Sequence, residues 1–159
     1  MTRIAITGHR GLPAPTLASI DAALRAEVSG RDTGDLVGVS CLADGPDSLF
    51  ASAVLDAGGR LEVVIPAHAY RESLPPEHHA TYDRLLAAAD SVTQLEFRES
   101  APEAHQAGSL RMLDEADELL AVWDGEPARG FGGTADVVAA ARSRGLPITR
   151  IWPPGAQRD

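Results

Sequence analysis

A Rossmann-like α/β fold, a three-layer sandwich with a mostly parallel sheet and helices on both faces, is predicted by three observations. Short apolar strand-like runs alternate with amphipathic helix-like runs from one end of the chain to the other. Two glycine-rich breaks, GHRG at 8–11 and GFGG at 130–133, each lie between an apolar run and a helix. At 159 residues and 44% hydrophobic, the chain suits one domain, taken here as 1–159, with a core built mostly from Ala, Val, Leu and Ile because aromatics are only 4%.

The elements follow in order. Arg3 to Thr7 is β-branched and apolar and reads as a buried first strand ending at Gly8. Leu17, Ile20, Leu24 and Val28 recur at helical spacing, with Gly30 as the stop. Leu36 to Ser40 is a second strand. Asp47 reads as the N-cap of a helix with Phe50, Ala53, Val54 and Ala57 on its apolar face, ended by Gly58-Gly59. Leu61 to Ile65 is a third strand stopped by Pro66, and 67–77 is loop. Pro75-Pro76 leads into a helix carrying Tyr82, Leu85, Leu86 and Ala89. Val92 to Phe97 is a less apolar strand, nearer an edge. Pro102 opens a helix with Leu110, Leu113 and Ala116 inward. Glu118 to Trp123, Thr134 to Arg144 and Ile148 to Trp152 complete the series as strand, helix and strand, before a frayed tail from Pro153.

Composition narrows the function classes. The net charge of -9 argues against a nucleic-acid partner, since affinity for a phosphate backbone comes from neutralising Lys and Arg. All 14 basic residues are Arg. A lone Cys41 supplies neither a disulfide framework nor a thiolate cluster, and reads as a small core residue. No window is apolar enough to span a membrane or to serve as a signal peptide, so a cytoplasmic protein is expected. His78 and His79 are adjacent and point apart on a helix, and His9, His68 and His105 lack metal-ligand spacing, so no metal site is expected.

Right-handed crossovers gather the loops that follow the strands on one edge of the sheet. In GHRGLP, Gly8 permits a sharp turn and close approach to a ligand, His9 lies on that edge, and Arg10 offers a charge-assisted contact to an anion. In LADGPDSLF, Gly45-Pro46 is a turn; Asp44 has no evident structural task and suits ribose hydroxyls, while Asp47 is an N-cap on the ligand edge. Gly130, Gly132 and Gly133 are denser than a turn requires. Thr134 reads as an N-cap whose hydroxyl and amide also face a phosphate, and Trp123 is placed to stack on a base. The loop lacks the lysine of a P-loop and the spacing of the dinucleotide fingerprint.

Together, ITGHRG, SCLADGPDSLFASAVLDAGG and ADELLAVWDGEPARGFGGTADVV resemble, in order and position over residues 3 to 152, the three motifs of the SLOG superfamily. This Rossmann-like group includes DprA (Smf), the LOG proteins and molybdenum-cofactor carrier proteins. The resemblance implies a nucleotide or other ribose-phosphate ligand lying across Gly8, Arg10, Asp44, Gly45, Gly130, Gly132, Gly133 and Thr134, and a homodimer or larger assembly. LOG-type phosphoribohydrolases carry a glutamate in G-T-x-x-E that helps to split the N-glycosidic bond; Val137 stands in that place here. The chain is therefore read first as a binder (sensor, carrier or regulatory module). Two alternatives are a nucleoside-monophosphate hydrolase relying on Asp136, Asp44 or Asp124, and an interaction or scaffold domain without ligand.

Overall fold

The computed structural model describes residues 1–127 and 133–158. Six strands form one sheet: β1 (Thr2–Gly8), β2 (Leu36–Ser40), β3 (Arg60–Ala67), β4 (Ser91–Phe97), β5 (Glu118–Val122) and β6 (Ile148–Ile151). Their spatial order is β4-β3-β2-β1-β5-β6, and every neighbouring pair is parallel. The chain moves outward from β1 to β4, then returns across the sheet to place β5 on the other side of β1. That reversal between β1 and β5 is a topological switch point, where two loops diverge and leave a crevice.

The helices are α1 (Ala14–Ser29), α2 (Pro46–Asp56), α3 (Tyr70–Ser73), α4 (His79–Ala87), α5 (Pro102–Glu115) and α6 (Thr134–Ser143). Side chains alternate across the sheet, so one strand feeds two cores. Ile4 and Ile6 join Leu120 and Val122 beneath Ile20 and Leu24 of α1 and Phe50 of α2. Ala5, Val39, Leu119 and Ala121 face the other way, under Met112 and Leu113 of α5 and Val137 and Val138 of α6. β1 and β2 read as continuous apolar runs because both of their faces are covered.

Three boundaries depart from the sequence reading. β3 runs through Pro66 to Ala67 instead of stopping at the proline; the β3–β4 register shifts between Ile65 and Ala67, where proline has no N–H to give the ladder. The loop 67–77 contains the four-residue α3. From Pro153, where a frayed tail is expected, the chain is tied back: Gln157 N donates to Thr16 Oγ1 at 3.0 Å and Arg158 Nη1 to Asp124 Oδ2 at 3.3 Å. Among the described residues no helix is long and apolar enough to cross a membrane.

Candidate functional site

At the carboxyl edge, β1 and β5 stay in register as far as Gly8 and Val122, and His9 N donates to Val122 O at 3.2 Å. Gly8 is needed here for packing. A Cβ on it would lie 2.7 Å from Pro46 Cβ and 3.0 Å from Val122 Cβ, so the start of α2 meets it before any ligand does. Gly11 then turns the chain with a φ of 67°.

The β2–α2 loop is built from unusual backbone. Leu42 has a φ of 61°, a left-handed conformation uncommon outside glycine, and Ser40 Oγ accepts from its amide at 3.0 Å. Ser48 Oγ donates to Ala43 O at 2.7 Å. The buried His78 Nε2–H is therefore the donor toward both Ser48 Oγ (3.2 Å) and Leu42 O (3.0 Å), which fixes its tautomer. Gly45, with a φ of 92°, is the N-cap of α2, and no side chain caps the helix. Asp47 is thus not the N-cap that the sequence suggests: Pro46 occupies the first helical position, and the Asp47 carboxyl turns back toward the Ala43 amide over a long 3.4 Å.

A cavity of about 220 Å³ opens at the switch point. Gly8, His9 and Arg10 line one side, Gly133 and Thr134 another, and Asp47, Tyr70 and His105 also face it. The two glycine-rich breaks therefore meet, as far as the described residues show; Gly130 and Gly132 lie outside them. Gly133 is the N-cap of α6 with an extended backbone (φ -76°, ψ 176°), and Thr134, expected as the cap, is instead the buried first helical residue. The first amides of α6 have no acceptor within the helix and give this end of the cavity a partial positive charge.

Thr7, Tyr70 and Thr134 are 8%, 4% and 7% exposed and line the cavity, as does Ser109. Among the described residues none of these four hydroxyls has a hydrogen-bond partner. Burial pushes the Asp47 carboxyl up to about 7, against the opposing pull of the Ala43 amide and Arg10 and with a further push from Asp44. Burial also raises the Cys41 thiol and the Tyr70 phenol well above their ordinary values, and lowers His105 so that it is neutral at pH 7. His105 Nε2 lies 2.7 Å from Ser100 Oγ, and its ring stands edge-on to Tyr70. Cys41 Sγ lies 3.8 Å from Met112 Sδ, in keeping with a small core residue at the cavity wall.

The other sequence candidates have different placements. Asp44 sits at the mouth, where its Oδ1 accepts from Arg10 Nε at 2.9 Å and Nη2 at 2.6 Å. Asp124 is held outside the cavity. Burial alone would raise its pKa, but the Glu126 amide, Arg158 and His9 together hold it below the usual carboxylate range. His9 Nε2 is 3.2 Å from Asp124 Oδ1 and 3.1 Å from its amide, so Nε2 donates to the carboxylate when it carries a proton and accepts from the amide when it does not. Trp123 leaves the cavity: its Nε1 donates to Glu126 O, and Arg142 lies over the ring at 5.8 Å. Asp136, in the first turn of α6, is not on the cavity wall, and Gly45 lies behind the Arg10 loop. Val137, at the place of the hydrolase glutamate, is 1% exposed in the core. Among the described residues no group of three or more His, Cys, Asp or Glu is placed to hold a metal.

Sequence reasoning missed Tyr70, Ser109 and Arg158. Tyr70 lies in a loop flagged only as lying on the ligand edge, Ser109 is one polar residue in an amphipathic helix, and Arg158 reaches the site only because the tail folds back.

No protein-family profile and no curated protein sequence matches the chain. Solved structures do. DprA from Streptococcus pneumoniae superposes with a TM-score of 0.72 at 18% identity, over 98% of this chain and 52% of that one. A Helicobacter pylori DprA, described by its single-stranded DNA binding mode, gives 0.70 at 14% identity over 98% and 68%. The molybdenum cofactor binding protein of Rippkaea orientalis gives 0.57 at 14% identity over 94% and 75%. The chain spans about half the length of the pneumococcal protein. These neighbours are of the kinds that the sequence motifs resemble, and they establish the Rossmann-like fold. They also correct one expectation: the charge of -9 does not exclude a nucleic-acid partner, because a neighbour sharing the fold is described as binding single-stranded DNA. Net charge sums the whole surface, whereas phosphate contacts are made locally.

Proposed function

We propose that this protein binds a nucleotide or another ribose-phosphate ligand in the cavity at the β1–β5 switch point, as a sensor, carrier or regulatory module. One observation carries the reading: four hydroxyls with no partner among the described residues, three of them on residues more than nine-tenths buried, open onto a cavity that also takes the N-terminus of α6. A ligand rich in hydrogen-bonding oxygens is the natural complement of such a lining. The cavity lies below the roughly 300 Å³ at which pockets for drug-sized molecules begin, so it takes a phosphate or sugar and leaves the rest of the ligand at the mouth. The neighbour named for binding molybdenum cofactor supports a small-molecule ligand at this fold. Val137 favours binding over glycoside hydrolysis, because the position points into the core.

The test is calorimetry with a panel of ribose-phosphate ligands. Gly133 has a backbone that any residue can adopt, so Gly133→Val leaves the fold intact and abolishes binding by obstructing approach to the α6 amides. Arg10→Ala weakens binding by about 1.5–3 kcal/mol if the guanidinium makes a charge-assisted contact with the ligand. Unchanged affinity in both variants would place the ligand elsewhere. A second reading, single-stranded DNA, is favoured by the DprA neighbours; it requires oligonucleotides to bind well above mononucleotides in the same panel.

A further inference from the structure

We propose that the cavity takes its ligand as an anion together with one proton, and that the Asp47 carboxyl holds this proton against the ligand. The proposal rests on the reading of the cavity as the ligand site and adds what decides its affinity.

The geometry gives two halves that conflict unless a proton enters. One half is made for an anion: the first amides of α6 and the hydroxyls of Thr7, Tyr70 and Thr134, which have no partner among the described residues and open onto the cavity from residues more than nine-tenths buried. The other half is the Asp47 carboxyl on the same wall, whose only hydrogen bond among the described residues is the long one from the Ala43 amide. Both arginines at the cavity already lie on other carboxylates, and Arg10 acts on Asp47 only across space. Arg10 puts Nε and Nη2 on Asp44, and Arg158 puts Nη1 on Asp124.

The groups facing Asp47 come from every element around it. Arg10 and His9 approach from the β1–α1 loop, and Asp44 and Cys41 from the β2–α2 loop. Tyr70 of α3, His105 of α5 and Arg158 of the tail complete the surroundings, with His78 behind Ser48 and Asp136 of α6 off the cavity wall. Of these, Cys41, Tyr70 and His105 are neutral at pH 7, so the net local charge is set largely by Asp47. An ionised Asp47 repels an arriving anion across a small, poorly solvated space. A protonated Asp47 instead donates a hydrogen bond to one of its oxygens, as a carboxylic acid kept neutral by its site can. The proton comes from solvent and stays on the carboxyl, and no covalent bond changes.

The ligand class follows. The group bound beside Asp47 is an anionic hydrogen-bond acceptor, such as a phosphate or phosphodiester oxygen; a cationic or amino group would bind with the opposite pH dependence.

Sulfate is the probe, because it does not titrate between pH 5.5 and 8.5. Its affinity is measured by NMR titration, with the Asp47 side-chain carbon followed in the same spectra. The proposal expects affinity to fall about tenfold per pH unit above 7, the slope for uptake of one proton. It also expects the Asp47 midpoint to rise when sulfate saturates the cavity. Asp47→Asn, neutral at every pH, flattens the profile; if that variant fails to fold, the shift of the wild-type midpoint decides alone. Affinity flat through pH 6–8, or rising with pH, overturns the proton coupling while leaving the cavity as a ligand site. Perturbation of no cavity residue by sulfate or by any ribose phosphate overturns both.

Discussion

The two ends of the sheet treat their polar groups in opposite ways. At the amino end three arginines lie on carboxylates: Arg3 on Glu62 at 3.1 Å, Arg31 between Glu118 at 2.8 Å and Glu27 at 3.4 Å, and Arg60 near Asp90 at 3.7 Å. The backbone joins in, with Arg3 N donating to Asp117 Oδ2 at 2.8 Å. Arg31 Nε, buried, has no partner among the described residues. At the carboxyl end four hydroxyls stand unpaired, one carboxyl is held near neutrality by burial, and one residue adopts a left-handed backbone. At the first end the charged groups complete one another; at the second Arg10–Asp44 and Arg158–Asp124 are paired, while the cavity hydroxyls have no partner among the described residues. Departures from local rules of this kind are expected at functional or strained sites.

The largest break in this contrast would come from moving site chemistry into the core. Val137 lies at the glutamate position of the LOG-type hydrolases, and Val137→Glu looks from sequence like a way to install a catalyst. The structure places the side chain 1% exposed among Val138, Ala141 and the sheet. A carboxylate there has no partner, and an unpaired buried charge costs several kcal/mol. The expected result is a loss of about 3–5 kcal/mol in urea denaturation, or no folded protein, with no release of base from nucleoside monophosphates. A stable variant that turns over substrate would show the position to be part of the site.

A smaller effect, and one that changes with pH, belongs to Asp47. Its folded pKa, about 7, stands above the ordinary value of 3.8, so between those limits the folded state holds the proton that the unfolded chain has released. Stability therefore falls as pH rises from about 4 to 7, and the full penalty is present at pH 8. At 1.36 kcal/mol per pH unit the ceiling is about 4 kcal/mol; water in the cavity brings the expected value to about 2. Asp47→Asn removes the penalty. The variant should match the wild type in urea midpoint near pH 4 and exceed it at pH 8. A constant difference across that range would show that the carboxyl is solvated and ordinary.

How far the sequence foretells this depends on the range of the interaction. The fold was legible because β1 and β2 are covered on both faces and so read as unbroken apolar runs, and because the helices between them carry their own periodicity. Gly8, Arg10 and Gly133 were legible as residues of the cavity wall because the loops that follow parallel strands gather at one edge of the sheet. Pro66 misled, since a proline at a register shift does not end a strand. Asp47 was named, but as a helix cap, because capping is local and a buried carboxyl is defined by partners that it lacks. Tyr70 and Arg158 reach the cavity only through tertiary packing, and no pattern in their neighbourhoods announces it.

The smallest expected effect sharpens the other side of the comparison. Arg60 and Asp90 lie at the amino end with side chains 64% and 55% exposed and an N–O distance of 3.7 Å. In that setting the Coulomb gain is screened by water and salt and is offset by the entropy of holding a long side chain in place. Arg60→Ala should therefore change stability by no more than about 0.5 kcal/mol. It should also leave ligand affinity and its pH dependence as they are, since the residue lies at the opposite end of the sheet from the cavity. The two measurements test different things. A larger loss of stability would mean that the amino-end pairs act as a network stronger than their exposure allows. A changed pH profile for sulfate would mean that charge at one end of the sheet is felt at the other, and the division of labour between the ends would fail.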